Sequence, residues 1–207
     1  MILNNPWHKL NIDISNAIRK DFDYNKLREE SFFKDAPAAL YRFIDYSENT
    51  HEFFNKEWLE YMRAQGIPVI GGVLFYRRAG YLDYPHIDLS YNKTPGEFAL
   101  NWVITDNDDS KMTWYNAENL APYGKDIQYN NDPSGNWANL TRFTIDNYKQ
   151  YETHECTLGK TLTLVDVATP HNIVMGLNDR WCISVRCNLR VVSNWQDTVN
   201  YFEKFIL

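Results

Sequence analysis

Long hydrophobic runs are missing from this sequence: no stretch approaches the ~20 consecutive apolar residues that a membrane-spanning helix needs. The opening residues, Met1-Ile2-Leu3-Asn4-Asn5-Pro6, carry neither a basic segment nor the apolar stretch of an export signal. The expectation is a cytoplasmic protein with no membrane partner. Basic charge is also short. The 21 Lys and Arg are outnumbered by 27 Asp and Glu, leaving a net charge of -6. That balance disfavours nucleic acid as a partner, because phosphate neutralisation needs a basic face. Cysteine is scarce too. Cys156, Cys182 and Cys187 are odd in number and form no Cys-x-x-Cys pair, which argues against a disulfide framework or structural zinc. Cys182 and Cys187 lie in an apolar stretch and read as buried free thiols. Glycine numbers only nine, and Gly71-Gly72 runs into a strand-like segment, so no phosphate-cradling loop is indicated. No Gly-x-Ser-x-Gly elbow and no internal repeat are present.

Aromatic residues are abundant instead, with 7 Trp, 14 Tyr and 11 Phe making up 15% of the chain. So much aromatic surface must be buried, which excludes disorder for most of the 207 residues and indicates one domain with a full core. Before Gly66 the pattern is helical. Between Asn49 and Gln65, the residues Phe53, Phe54, Trp58, Leu59 and Met62 recur at three- and four-residue spacing, with Thr50 as N-cap and Gly66 and Pro68 as stop. A shorter helix is predicted over Pro37–Tyr46. Residues 1–66 are therefore expected to form a helical extension packed on a sheet.

After Gly66 the sequence becomes a series of short runs rich in β-branched and aromatic residues. They cover Val69–Arg78, Tyr84–Ser90, Phe98–Thr105, Met112–Asn116, Tyr151–Thr157, Thr161–Val167, His171–Met175 and Trp181–Val192, with turn residues between most of them. Strands at this spacing without intervening helices predict an antiparallel sandwich or barrel over 67–192, and a jelly roll has this strand count. The polar 117–150 segment is too long for an ordinary connection and is expected to be a lid-like insertion, partly ordered through Trp137, Phe143 and Ile145. Residues 193–207 predict a closing helix, with Trp195, Val199, Phe202 and Ile206 on one face. Oligomeric state is left open.

Only five histidines occur, at positions 8, 51, 86, 154 and 171. His86 and Asp88 are two apart on a predicted strand, so an imidazole and a carboxylate share one face. That spacing alone is weak. His171 opens the seventh predicted strand, and nine residues later Arg180-Trp181-Cys182-Ile183-Ser184-Val185-Arg186 begins the eighth. Two histidines and one carboxylate make the facial triad that suits non-haem Fe(II) with open coordination positions. His8 and His51 lie in the helical part, and His154 sits beside Glu152 and Glu155 away from any second ligand in sequence; all three are read as structural.

This order of features resembles the Fe(II)/2-oxoglutarate-dependent dioxygenases, in particular their prolyl- and aspartyl-hydroxylase-like branch. The resemblance covers about Val69 to Val192. It implies a mainly β fold with a helical N-terminal part, the double-stranded β-helix (a cupin-like jelly roll). It implies His86, Asp88 and His171 as iron ligands and Arg180 as the arginine that receives the far carboxylate of 2-oxoglutarate, with Ser184 beside it. Arg186 alternates onto the same face as Arg180, so either arginine or both could be that anchor. The family also uses a Tyr or Asn from the first or third strand, for which Tyr76, Asn101 and Trp114 are candidates. The implied cofactors are Fe(II) and the cosubstrate 2-oxoglutarate. The implied activity is hydroxylation of a C–H bond, with dioxygen consumed and succinate and CO2 released. The expected substrate is a small molecule or a peptide side chain. The alternative is a cupin-like metal- or ligand-binding module without oxygenase activity.

Overall fold

A computed structural model describes residues 5–29, 34–42, 53–88, 98–106, 108–116, 127–129, 138–142, 152–187, 189 and 192–207. Within them the chain is mainly β, with few helices. The strands are β1 (Trp7–Lys9), β2 (Ala38–Arg42), β3 (Val69–Arg77), β4 (His86–Asp88), β5 (Phe98–Val103) and β6 (Lys111–Tyr115). They continue with β7 (Ile127–Tyr129), β8 (Ala138–Arg142), β9 (Glu152–Cys156), β10 (Thr163–Asp166), β11 (His171–Val174) and β12 (Arg180–Cys187). The helices are α1 (Tyr24–Glu29), α2 (Lys56–Ala64) and α3 (Trp195–Phe202). One antiparallel sheet has the order β1-β10-β5-β12-β3-β2 and the other β7-β8-β4-β11-β6-β9. This is compatible with a β-sandwich or a jelly roll.

Alternation along the strands sorts the apolar residues into two cores. On one face of the first sheet, Leu74, Tyr76, Leu100, Trp102, Trp181, Ile183 and Val185 pack with Trp58 and Met62 of α2 and Phe202 of α3. The opposite faces of the same strands contribute Ala99, Val103, Val165 and Cys182, which pack with Met112, Trp114, Cys156 and Ile173 of the second sheet. The second cluster is the interior between the sheets. Burial of this kind is worth about 25 cal/mol per Å² of apolar surface.

The helices follow local signals. Helix α2 starts where Asn55 accepts a hydrogen bond from the Glu57 amide, later than the expected Thr50, which lies outside the described residues. Phe53 and Phe54 precede the helix but are still buried. The helix stops at Gly66, whose φ of +86° is left-handed, and a Cβ there would lie 3.0 Å from the Tyr201 hydroxyl. We expect Gly66→Ala to cost about 1–2 kcal/mol in a urea unfolding curve, from backbone strain plus that contact.

Two expectations are corrected. Instead of a helix from Pro37, residues 38–42 form β2, paired antiparallel to β3 with Ala38 opposite Arg77. The exposed backbone groups at the β3 edge outweigh the weak local helical preference of Ala38-Ala39-Leu40. Strand β1 pairs with β10 at the other side of the sheet, so residues before Gly66 supply both outer strands as well as helices. The second correction concerns 117–150. Strands β7 and β8 extend the second sheet, with β8 paired to β4, so this part of the segment is sheet rather than an excursion. Trp137, Phe143 and Ile145 lie outside the described residues.

Candidate metal centre

His86 opens β4 and His171 opens β11, and the two strands are neighbours with these histidines directly opposite each other. Their rings lie 4.7 Å apart between centroids. Asp88, two residues beyond His86, presents its carboxylate to the same side, with Oδ1 3.8 Å from His86 Nε2. One donor atom from each of His86, Asp88 and His171 falls within 4.8 Å of the others, so the group could hold a metal ion. Both histidines are buried, while Asp88 is partly exposed and marks the side open to solvent.

The same local device orients the two imidazoles. His86 Nδ1 lies 2.8 Å from the Tyr84 carbonyl and His171 Nδ1 lies 2.9 Å from the Thr169 carbonyl. A carbonyl only accepts, so each Nδ1 is the donor, and in the neutral ring Nε2 is then the nitrogen left with a lone pair for a metal. In both cases a proline separates the histidine from the accepting residue, Tyr84-Pro85-His86 and Thr169-Pro170-His171. Proline holds the residue before it in an extended conformation and gives the accepting carbonyl a fixed direction. The second turn is tied down further. Asp166 accepts hydrogen bonds from the amides of Ala168 and Thr169 and from the Thr169 hydroxyl.

Electrostatics keep His171 and Asp88 in ligand form. Burial, reinforced by the neighbouring His86, lowers the His171 pKa from 6.5 to about 4 against the pull of Asp88. Burial alone would raise the Asp88 carboxyl, but Arg186, His171 and His86 outweigh it and hold its pKa below the ordinary value. Below pH 6.5 the unfolded chain protonates this histidine while the folded chain does not. The metal-free protein should therefore lose about 3 kcal/mol between pH 6.5 and pH 4. Urea midpoints across that range measure it, and His171→Gln should flatten the slope. An equal slope in the variant would contradict the assignment.

A second carboxylate, not anticipated from the sequence, sits beside the group. Asp83 Oδ1 is 4.0 Å from His86 Nδ1, and its Oδ2 accepts a 2.8 Å bond from Arg77. Burial works against the charged Asp83, yet Arg77 and His86 hold its pKa below the ordinary value. The Asp83 carbonyl accepts from Asn172, whose side chain accepts from the Tyr115 hydroxyl. The Leu82-Asp83-Tyr84 context carries no motif, so only the fold reveals this carboxylate. Asp83→Asn would leave Arg77 buried without its counter-charge, and we expect a loss of about 3 kcal/mol by chemical denaturation.

The remaining expected residues divide by face. Arg180, Ser184 and Arg186 alternate with Trp181, Ile183 and Val185 and so point between the sheets with Cys182. Asn101 of β5 is the cross-strand neighbour of Ser184 and Thr163 on that inner side, and its buried Oδ1 has no hydrogen-bond partner among the described residues. Arg180 is enclosed against Asp108, with Nε 3.9 Å from Oδ1, and among the described residues neither Arg180 Nε nor Asp108 Oδ2 has a hydrogen-bond partner. Arg186 reaches the candidate centre itself, donating to Asp88 Oδ2 at 3.4 Å. Tyr76 is not brought to the group. It lies on the opposite, helix-facing side of β3, bonded to Asp179 and packed on Trp181, because an even residue offset from Leu74 selects that side. Trp114 does face the interior, directly across from His171.

His8 stacks on Trp195 and His154 lies on β9, while His51 is outside the described residues. Cys156 and Cys182 are buried free thiols, and Cys187 is a partly buried one. Among the described residues no helix is long and apolar enough to cross a membrane. No protein-family model, no curated protein and no solved structure matches the chain.

Proposed function

We propose that the protein is an Fe(II)- and 2-oxoglutarate-dependent dioxygenase, hydroxylating a C–H bond of a small molecule or peptide side chain. The observation that carries this reading is the His86–Asp88–His171 group, with both Nε2 lone pairs free for a metal and a carboxylate oxygen beside them. Two imidazoles and one carboxylate are the donor set that non-haem Fe(II) oxygenases use, with further positions left for other ligands. Bound Fe(II) would supply the activation of dioxygen; the chain's own part is to hold the ligands, position the substrate and keep water out.

The sheet order supports a double-stranded β-helix as the scaffold. Strands β3, β12, β5 and β10 share one sheet, and β4, β11, β6 and β9 share the other. Successive strands thus mostly cross between sheets, as in a jelly roll. The triad then lies on the second and seventh of these eight core strands, which are adjacent. On β12, Arg180 and Arg186 are the inward guanidinium groups, Arg180 buried against Asp108 and Arg186 partly exposed beside Asp88, and Ser184 and Asn101 line the same inner side.

A succinate-release assay over amino acids and peptides, with Fe(II), 2-oxoglutarate and dioxygen supplied, tests the reading. Substrate-dependent succinate supports it. A second reading, a metal-binding module of cupin type without oxygen chemistry, rests on the same triad, which could equally hold Zn or Mn. Metal analysis after aerobic and anaerobic purification separates the two: a module of that kind would retain Zn or Mn under both conditions and release no succinate.

A further inference from the structure

Three arginines project between the sheets from β3 and β12, and each faces one carboxylate. Arg77 is nearly enclosed and bonds Asp83 at 2.8 Å. Arg180 is more deeply buried, at 3% side-chain exposure, and faces Asp108 at 3.9 Å. Arg186 differs from both. Its side chain is 30% exposed, and its contact to Asp88 Oδ2 is 3.4 Å. That is long for a charge-assisted hydrogen bond, which ordinarily measures about 2.7–2.9 Å. The cross-strand neighbour of Arg186 is Gly71, which has no side chain to fill the adjacent space. The strand register shifts between Arg186 and Cys187, an irregularity that re-aims a side chain at this end of β12.

From these observations, and resting on the metal reading of His86, Asp88 and His171, we propose that Arg186 receives a carboxylate of the substrate. The molecule acted on is then a small organic acid or a free amino acid. The charge balance points the same way. A divalent ion held by Asp88 would draw that carboxylate's charge from Arg186 and leave the guanidinium without its counter-charge, which favours an anionic partner there. Among the described residues the Arg186 guanidinium donates to Asp88 alone, and such a planar fork engages a carboxylate through two parallel bonds. Arg180 and Arg77 face Asp108 and Asp83 with little exposure, whereas Arg186 is the most exposed of the three and lies beside Asp88 at the solvent side of the centre.

The test uses full-length protein loaded anaerobically with Co(II), whose visible bands report ligands entering the metal shell, and then the Fe(II) enzyme. Wild type, Arg186→Met and Arg186→Lys are titrated with 2-oxoglutarate. Succinate release is then followed with free L-amino acids and small hydroxy acids, each beside its neutral amide. Acids are expected to stimulate wild type and their amides not. Arg186→Met should lower kcat/KM for the acids by about tenfold or more, with partial recovery in Arg186→Lys. The 2-oxoglutarate affinity should stay within about twofold of wild type. Equal use of acid and amide, or no stimulation by any acid, would overturn the proposal. So would a parallel loss of 2-oxoglutarate affinity, which would assign Arg186 to the cosubstrate. Weaker Co(II) binding with unchanged acid preference would reduce Arg186 to a positioning role for Asp88, also against the proposal. Absence of Co(II) bands in wild type would fail the metal reading itself, a separate and visible result.

Discussion

His171→Ala is expected to weaken divalent-metal binding by more than about 100-fold, the upper range for loss of groups that merely orient a ligand. The variant removes one of two nitrogen donors and leaves the Thr169 carbonyl without its imidazole partner. Isothermal titration with Mn(II) or Co(II) measures the change. His154→Ala, on β9 and outside the triad, should bind metal as wild type does. The fold should survive, because His171 contributes little apolar area and sits beside the solvent-facing opening marked by Asp88. A variant that binds metal normally would remove the triad as the site.

Trp114→Ala carries the largest expected effect on stability. The indole is fully buried between the sheets, opposite His171 on the neighbouring strand, and its Nε1 donates to the Asp166 carbonyl. Truncation opens a cavity and orphans that carbonyl, at a cost of about 3–5 kcal/mol. For a chain of this length that is a fall in Tm of roughly 10 °C. Trp114→Phe keeps most of the packing but not the hydrogen bond and should recover more than half of the loss. Because Asp166 also organises the turn before His171, the alanine variant should weaken metal binding as well. Scanning calorimetry and metal titration on the two variants read both effects; a near-neutral Trp114→Ala would contradict the packing described.

The His86–Asp88 half of the triad is legible in the sequence because its information is local and periodic. Two residues apart on a strand means one face, so strand periodicity alone puts His86 and Asp88 together. The adjacency of β4 and β11 is not legible in that way, since strand order across a sandwich depends on long-range pairing; only the family resemblance implies it. The Pro-His pair that precedes and includes each imidazole is visible in the sequence, but its orienting role emerges only with the carbonyl contacts of Tyr84 and Thr169. Asp83 is not legible at all, because nothing in its neighbours distinguishes it from a surface aspartate.

Aromatic placement illustrates the limit more sharply. Tyr76, Trp102, Trp114 and Trp181 all fall on strands that flank the ligand strands in sequence, and that placement alone suggests that they wall the site. In the structure Tyr76, Trp102 and Trp181 face the helices, and Trp114 alone of the four faces the interior. A one-residue change in register moves a side chain to the other side of a sheet, so strand membership cannot assign a face. Strand β2 escapes a local reading for a related reason: its pairing partner, the edge of β3, is a tertiary fact.

The proposed function requires His86, Asp88 and His171 to hold Fe(II) in a form that accepts 2-oxoglutarate. Anaerobic absorption spectroscopy tests it most directly. Adding Fe(II) and then 2-oxoglutarate to the wild-type protein should produce a visible charge-transfer band at one equivalent of iron, and His86→Ala should abolish it. No band in the wild type, or an undiminished band in His86→Ala, would contradict the account.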